Sequence, residues 1–261
     1  MKICTYILFI LFLNALTVNA QQLVTPPIKP NTAFKAGEKL TYQIRYGIIV
    51  GGTATLSLTE DIYDNKEVYH AVSTGKTTGM AEVIYGVNDV YESWFDKETN
   101  LSYKQIRNIK EGNYTKYNEV TYNRKNNTVN SKLSGVKGVP DKILDLATSL
   151  YYIRRIDFSK VKENDVIFMN IYFSDEIFPF YMRYKGKETI RTKFGKISCL
   201  KISPVVEVGR MFKTPDDVSI WVTDDLNCIP VLIELDIRIV GKIHLKLMSY
   251  ENITNPLIFK D

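Results

Sequence analysis

Chemistry at neutral pH starts with side chains that can move a proton or an electron pair, and this sequence has few of them. Its 261 residues hold two histidines, His70 and His244, and three cysteines, Cys4, Cys199 and Cys228. Nucleophilic catalysis needs a nucleophile, a base and a group that orients the base. His70 is in phase with Val68 and Val72 and reads as a packed strand residue. His244 shares a face with Lys242 and Lys246 and reads as solvated. No nucleophile motif surrounds Cys199 or Cys228, so an acyl-transfer site is not expected. Zinc wants clustered Cys and His, which are too scarce here.

Calcium has better candidates in Asp216-Asp217 and Asp224-Asp225. The residues between them, Val218–Thr223, read as a strand. Six residues at about 3.3 Å each hold the pairs roughly 20 Å apart, too far to share an ion. Turn chemistry is the simpler expectation. Gly47, Gly51 and Gly52 are flanked by strands with no helix after them, so they form neither a phosphate loop nor a dinucleotide fingerprint. No enzyme, cofactor or metal is expected.

The residues of positive interest are aromatic. Phe178, Phe180, Met182 and Tyr184 fall on one face of a strand, with Tyr172 and Phe173 just upstream and Pro179 inside the run. One reading is a sheet core with a bulge or edge at the proline. The other is a groove for an apolar ligand lined by Phe173, Phe178, Phe180, Met182 and Tyr184.

The elements that must position these residues are strands. Leu40, Tyr42, Ile44 and Tyr46 alternate with polar residues, as do Ala54, Leu56 and Leu58. Gly51-Gly52 between the two runs offers the positive φ angles of a tight hairpin turn. Further strands are predicted at 67–76, 89–95, 101–109, 114–123, 128–133, 166–174, 178–185, 188–194, 196–203, 218–223, 229–238 and 242–250. Turn residues such as Asp64-Asn65, Asn126-Asn127 and Gly241 separate them. No strand–helix alternation is present, which argues against a parallel α/β sheet.

One segment breaks the period of two. Ile143, Leu146, Ala147, Leu150 and Ile153 recur at helical spacing, predicting a helix from Asp141, as its cap, to Arg155. Arg154 and Arg155 would sit at its C-terminal end, where the dipole favours cations. The fold class expected is mainly β: a large curled antiparallel sheet, open or half-barrel, with one main inserted α-helix on its concave side. Cys199 and Cys228 are expected as free thiols, because an intervening strand would hold them about 9–10 Å apart, beyond disulfide reach.

The N-terminus reads as a cleaved export signal. Lys2 precedes the apolar run Ile3–Leu13, and Val18-Asn19-Ala20 offers a peptidase site before Gln21. Asn14 and Asn19 cut the run short of the roughly 20 apolar residues a membrane span needs. With no Cys after the cut, a lipoprotein anchor is not expected. Residues 1–20 are thus read as signal peptide, 21–33 as a Pro-rich tether and 34–261 as a single β-rich domain. The net charge of +5 is scattered and reads as a solvated surface. Export to the periplasm makes nucleic acid an improbable partner.

Phe34, Gly37-Glu38, Leu40, Tyr42, Ile44, Tyr46-Gly47, Gly52, Ala54 and Leu56 resemble the opening of an exported bacterial family of unknown function catalogued as number 3108. The resemblance continues through Pro140-Asp141, Leu144-Asp145, Ser149–Tyr152, Arg154, Gly195-Lys196 and Cys199–Lys201. It closes with Trp221–Asp225, Ile229–Val231 and Gly241–Ile243. It implies export and a β-rich body, with no established activity and no catalytic residue to carry over. By architecture alone such a body is similar to the periplasmic carriers of lipoproteins, an analogy of fold only. Two functions stay open: a structural or interaction protein of the envelope whose curl is self-filled, and a carrier of an amphipathic or lipid ligand in the concavity.

Overall fold

The computed structural model describes residues 23–206, 212–238 and 240–261. The predicted signal peptide lies outside the described residues. In chain order the elements begin with β1 (Leu23–Val24), β2 (Lys39–Tyr46), β3 (Ile49–Tyr63), β4 (Lys66–Thr77) and helix α1 (Met80–Ile84). Next come β5 (Asn88–Asp96), β6 (Ser102–Glu111), β7 (Tyr114–Asn123), β8 (Thr128–Ser131), β9 (Gly135–Gly138) and helix α2 (Leu146–Ile153). The second half holds β10 (Val166–Phe173), β11 (Glu176–Thr192), β12 (Gly195–Pro204), β13 (Val218–Thr223), β14 (Pro230–Ile237), β15 (Gly241–Glu251) and β16 (Phe259–Lys260).

All the strands form one sheet. Its order runs β1-β10-β11-β12-β13-β14-β15-β2-β3-β4-β5-β6-β7-β8-β9, with β16 beside β12. Pairing is antiparallel throughout except between β1 and β10. The two halves of the chain are therefore two meanders, joined where β15 pairs with β2. The sheet does not close, but its ends face one another. Tyr91 on β5 stacks near Phe173 on β10 with ring centroids 6.3 Å apart. Asp175, in the β10–β11 turn, accepts hydrogen bonds from Asn118 of β7 at 2.9 Å and from Ser131 of β8 at 2.5 Å. This is the curl that a strongly twisted sheet of many strands adopts.

Helix α2 seals the curl, packing on β4, β5 and β10. It separates two core clusters: Ile153 belongs to the one around Phe173, Phe178 and Met182, while Ala147 and Tyr151 belong to the one around Leu40, Phe95 and Ile197. The Tyr151 ring meets Phe34 at 4.8 Å and Phe95 at 5.5 Å.

The helix is shorter than its apolar spacing predicts, and its cap is Asp145 rather than Asp141. The sheet edge captures the residues before it. Leu144 N–H donates to Asn170 O at 3.0 Å, and Leu144 O accepts from Tyr172 N–H at 2.7 Å. Asp145 then accepts from the Thr148 N–H at 2.8 Å while Thr148 Oγ1 accepts from the Asp145 N–H at 2.9 Å, a closed capping box. Leu150 is only half-buried; Ala147, Thr148, Ser149, Tyr151 and Ile153 are the buried residues.

The first hairpin turns at Gly47-Ile48, not at Gly51-Gly52. Tyr46 faces Ile49 across the ladder, and Gly47 takes a φ of 56°. Gly52 serves a different need: a Cβ there would stand 2.4 Å from the Lys76 carbonyl oxygen, so glycine lets β3 approach β4. The two strands predicted across 178–194 are one strand, β11, with a register shift between Tyr184 and Lys187 and a φ of 88° at Gly186.

Arg154 and Arg155 are buried rather than solvated. Arg154 makes a bidentate pair with Glu38, at 2.5 and 2.8 Å, and donates to Ala33 O and Asn227 O, both at 2.9 Å. Arg155 donates to Lys29 O at 2.9 Å, to Glu98 O at 2.6 Å and to Asn100. The segment read as a tether is thereby docked on the body from Leu23 onward, with Ala33 and Phe34 fully buried.

Candidate functional site

The five aromatic and sulfur-bearing candidates come together. Phe173, Phe178, Phe180, Met182 and Tyr184 are all buried and share one core cluster with Ile167, Ile171 and Leu200. Phe173 and Phe178 lie 6.5 Å apart, and Tyr184 meets Phe158 at 5.6 Å. Pro179 is tolerated because it faces Asn170, whose carbonyl is already engaged by Leu144 on the other side; the missing N–H removes no bond to β10.

Beside Phe173 lies a recess of about 20 Å³, walled by Tyr91, Arg107, Asn118, Val120, Phe173 and Asp175. That is room for about one water molecule. The Arg107 guanidinium lies 4.6 Å from the Phe173 ring centre and 5.9 Å from that of Tyr91, and it donates to Ser174 Oγ at 2.9 Å. Burial pushes the Tyr91 hydroxyl above its ordinary range, against the opposing pull of Arg107.

Polar side chains missed by sequence reasoning gather next to this wall. Strand β5 alternates strictly, so Asp89, Tyr91, Ser93 and Phe95 all point inward. The period was legible; that half of its inward positions are polar should have flagged them. Glu111 comes in from β6 with its carboxylate buried, and neither of its oxygens has a hydrogen-bond partner. Asp89 accepts from the Lys110 N–H at 3.1 Å. Burial, reinforced by the neighbouring Glu111, pushes its carboxyl up to about 7 despite that bond and Arg107. Protonated, Asp89 gains an O–H that can donate to a neighbouring carboxylate oxygen such as those of Glu111. Proton exchange at Asp89 is the chemistry this site can offer.

The residues that could have been catalytic stand apart. His70 faces outward, stacked on Trp94 at 4.1 Å with Nε2 3.0 Å from Glu92 Oε2. His244 is paired with Glu234 at 2.9 Å rather than free in solvent. Cys199 and Cys228 are free thiols; burial, with nearby acidic groups, raises the first to about 12 and burial raises the second to about 11. Cys228 sits in the turn before β14 with a φ of 47°, not on a strand. One aspartate of each pair does turn chemistry, Asp217 accepting from Thr214 N–H at 3.0 Å and Asp225 from Asn227 N–H at 2.8 Å, while Asp216 pairs with Lys185 and Asp224 with Lys187, both at 2.7 Å. Among the described residues no three His, Cys, Asp or Glu side chains are grouped to hold a metal.

Residues 41–248 match the family model described as protein of unknown function DUF3108. The chain belongs to this family. No curated protein matches it. The DUF3108 fold is similar to the beta-barrel-like protein of domain of unknown function DUF1849 from Brucella abortus, with a TM-score of 0.54 at 8% identity, covering 87% of this chain and 99% of that one. A DUF1089 family protein from Pseudomonas aeruginosa aligns at a TM-score of 0.36 and 9% identity, over 67% of this chain and 87% of that one. The first likeness is one of fold. The DUF3108 chain has no helix among its described residues long and apolar enough to cross a membrane.

Proposed function

We propose that this protein is exported to the periplasm and works there without catalysis, as a structural or interaction protein of the cell envelope. The observation that supports this most is the filling of the curl. The five residues that would line a ligand groove are packed against one another and against α2, and the recess beside them is water-sized. Ligand pockets run to about 300–1,000 Å³, more than ten times that volume. Neither Asp89 nor Glu111 lines that recess.

Native mass spectrometry of the protein purified from the envelope of its own host tests the proposal. The expected mass is that of the chain starting at Gln21, with no adduct. A co-purifying lipid would overturn the self-filled reading in favour of carriage. Recovery from the cytoplasm with Met1 intact would remove the export argument.

A further inference from the structure

Apolar side chains left in water are scattered singly on most surfaces; a contiguous group of them marks a docking site. Among the described residues, seven of the seventeen large hydrophobic residues that are exposed come from two short segments: Tyr46, Ile48, Ile49 and Val50 around the β2–β3 turn, and Met80, Val83 and Ile84 on α1. The segments are neighbours, because Thr78 N–H donates to Gly51 O at 3.1 Å and Gly52 faces Thr77 across the ladder. Helix α1 buries none of its residues and has no side-chain cap. Its Met80, Val83 and Ile84 make an apolar face at the one, four, five spacing of an amphipathic helix, yet no part of the sheet covers them.

We propose that these two tips dock the protein on an anionic bilayer surface, an inference that stands whether or not the interior carries a ligand. Shape is the first argument. Ile48 is 89% exposed, Val83 81%, Ile84 78% and Met80 72%, so the side chains project beyond the body rather than line a groove. Projecting aliphatic groups suit a fluid acyl layer, which closes around them without a preformed socket.

The second argument is the backbone, since polar groups entering the apolar boundary must be satisfied from within. At the turn, Ile48 O accepts from Arg45 at 2.9 Å; in α1, Glu82 N–H donates to Gly79 O at 3.2 Å and Tyr85 N–H to Ala81 O at 2.9 Å. The third argument is charge. Arg45, opposite Val50, and Lys76, beside Thr77, flank the tips with no carboxylate partner among the described residues, against the single acid Glu82 on α1. Cations at the base of inserted apolar tips meet lipid phosphates.

Co-sedimentation of the mature chain with vesicles decides it. The probes are phosphatidylcholine vesicles with and without phosphatidylglycerol, for the wild type and for Ile48→Asp and Val83→Asp. Both positions are exposed, so circular dichroism and thermal unfolding should match the wild type. The wild type should bind the phosphatidylglycerol vesicles more tightly than the neutral ones, and less tightly at high salt. Each substitution should weaken binding by about tenfold or more. The proposal is overturned if the wild type ignores phosphatidylglycerol vesicles, if it prefers neutral ones or binds both equally, or if both variants bind as the wild type does. Self-association in sedimentation velocity that both substitutions abolish, without vesicle binding, would instead make a second copy of the chain the occupant.

Discussion

The two helices carry the same kind of apolar spacing and meet opposite fates. Helix α2 is closed by a capping box, buries five of its eight residues and ends on an arginine locked to Glu38. Helix α1 has no side-chain cap and buries nothing. Apolarity alone does not decide burial. What decides it is whether neighbouring strands supply partners for the polar groups that come along, and around α2 they do: Ser93 and Ser102 reach the Asp145–Thr148 cap, and Ala33, Glu38 and Asn227 surround Arg154.

The contrast is broken most directly at Arg154. Arg154→Ala leaves the Glu38 carboxylate buried and unpaired, and should cost about 3–5 kcal/mol in urea unfolding. A loss under about 1 kcal/mol would mean that water reaches Glu38 and that α2 is not anchored there.

Next is the cap itself. Asp145→Ala removes the acceptor for the Thr148 N–H and for Ser93, and should cost about 2 kcal/mol, the upper range for a cap residue. Denaturation of the variant measures it; an unchanged midpoint would separate the cap from the stability of the sheet.

The half-burial of Leu150 tempers what its spacing suggests. Leu150→Ala should cost about 2 kcal/mol, at the bottom of the range for enclosed leucines. A loss near about 5 kcal/mol would place it in the sealed core instead.

The Asp89–Glu111 pair sharpens the comparison through pH. The Asp89 carboxyl ionises near 3.8 in an unfolded chain and at about 7 in the fold. Between those values the folded protein keeps a proton that the unfolded chain has released. Stability should therefore fall as pH rises from about 4 to about 7, and level off above that window. Asp89→Asn should flatten this slope in unfolding free energies measured across the window. An identical slope in the variant would locate the proton elsewhere.

The smallest effect belongs to α1. Val83→Ser should change stability by less than about 0.5 kcal/mol, as for an exposed surface position. Destabilisation of about 2 kcal/mol would show that α1 packs on the body and would end the contrast between the helices.

Much of the fold was legible because strands leave a local record. The alternation in Leu40–Tyr46 and in β5, together with Asp64-Asn65 and Gly241 at the turns, follows from a pleat that sends neighbours to opposite faces. The candidate site was half legible. Phe178, Phe180, Met182 and Tyr184 share a face by the same rule, but whether that face lines a groove or fills a core depends on what lies opposite. Gly51-Gly52 misled because glycine answers two needs, positive φ and close backbone approach, and only the position of Lys76 tells them apart.

The sequence by itself determined the mainly β class, nearly every strand and the place of the main helix, since each depends on neighbours a few residues away or on strand order along a meander. Tertiary structure alone decided the rest. It joined β15 to β2, brought β10 against β5 and β7, trimmed the helix by pairing Leu144 with the edge of β10, and buried Arg154 on Glu38 across 116 positions. It also turned Asp89 and Glu111 toward each other and left α1 facing water. The physical reason is common to all of these. Alternation and spacing specify which way a side chain points, while burial, pairing and protonation depend on what the rest of the chain places in front of it.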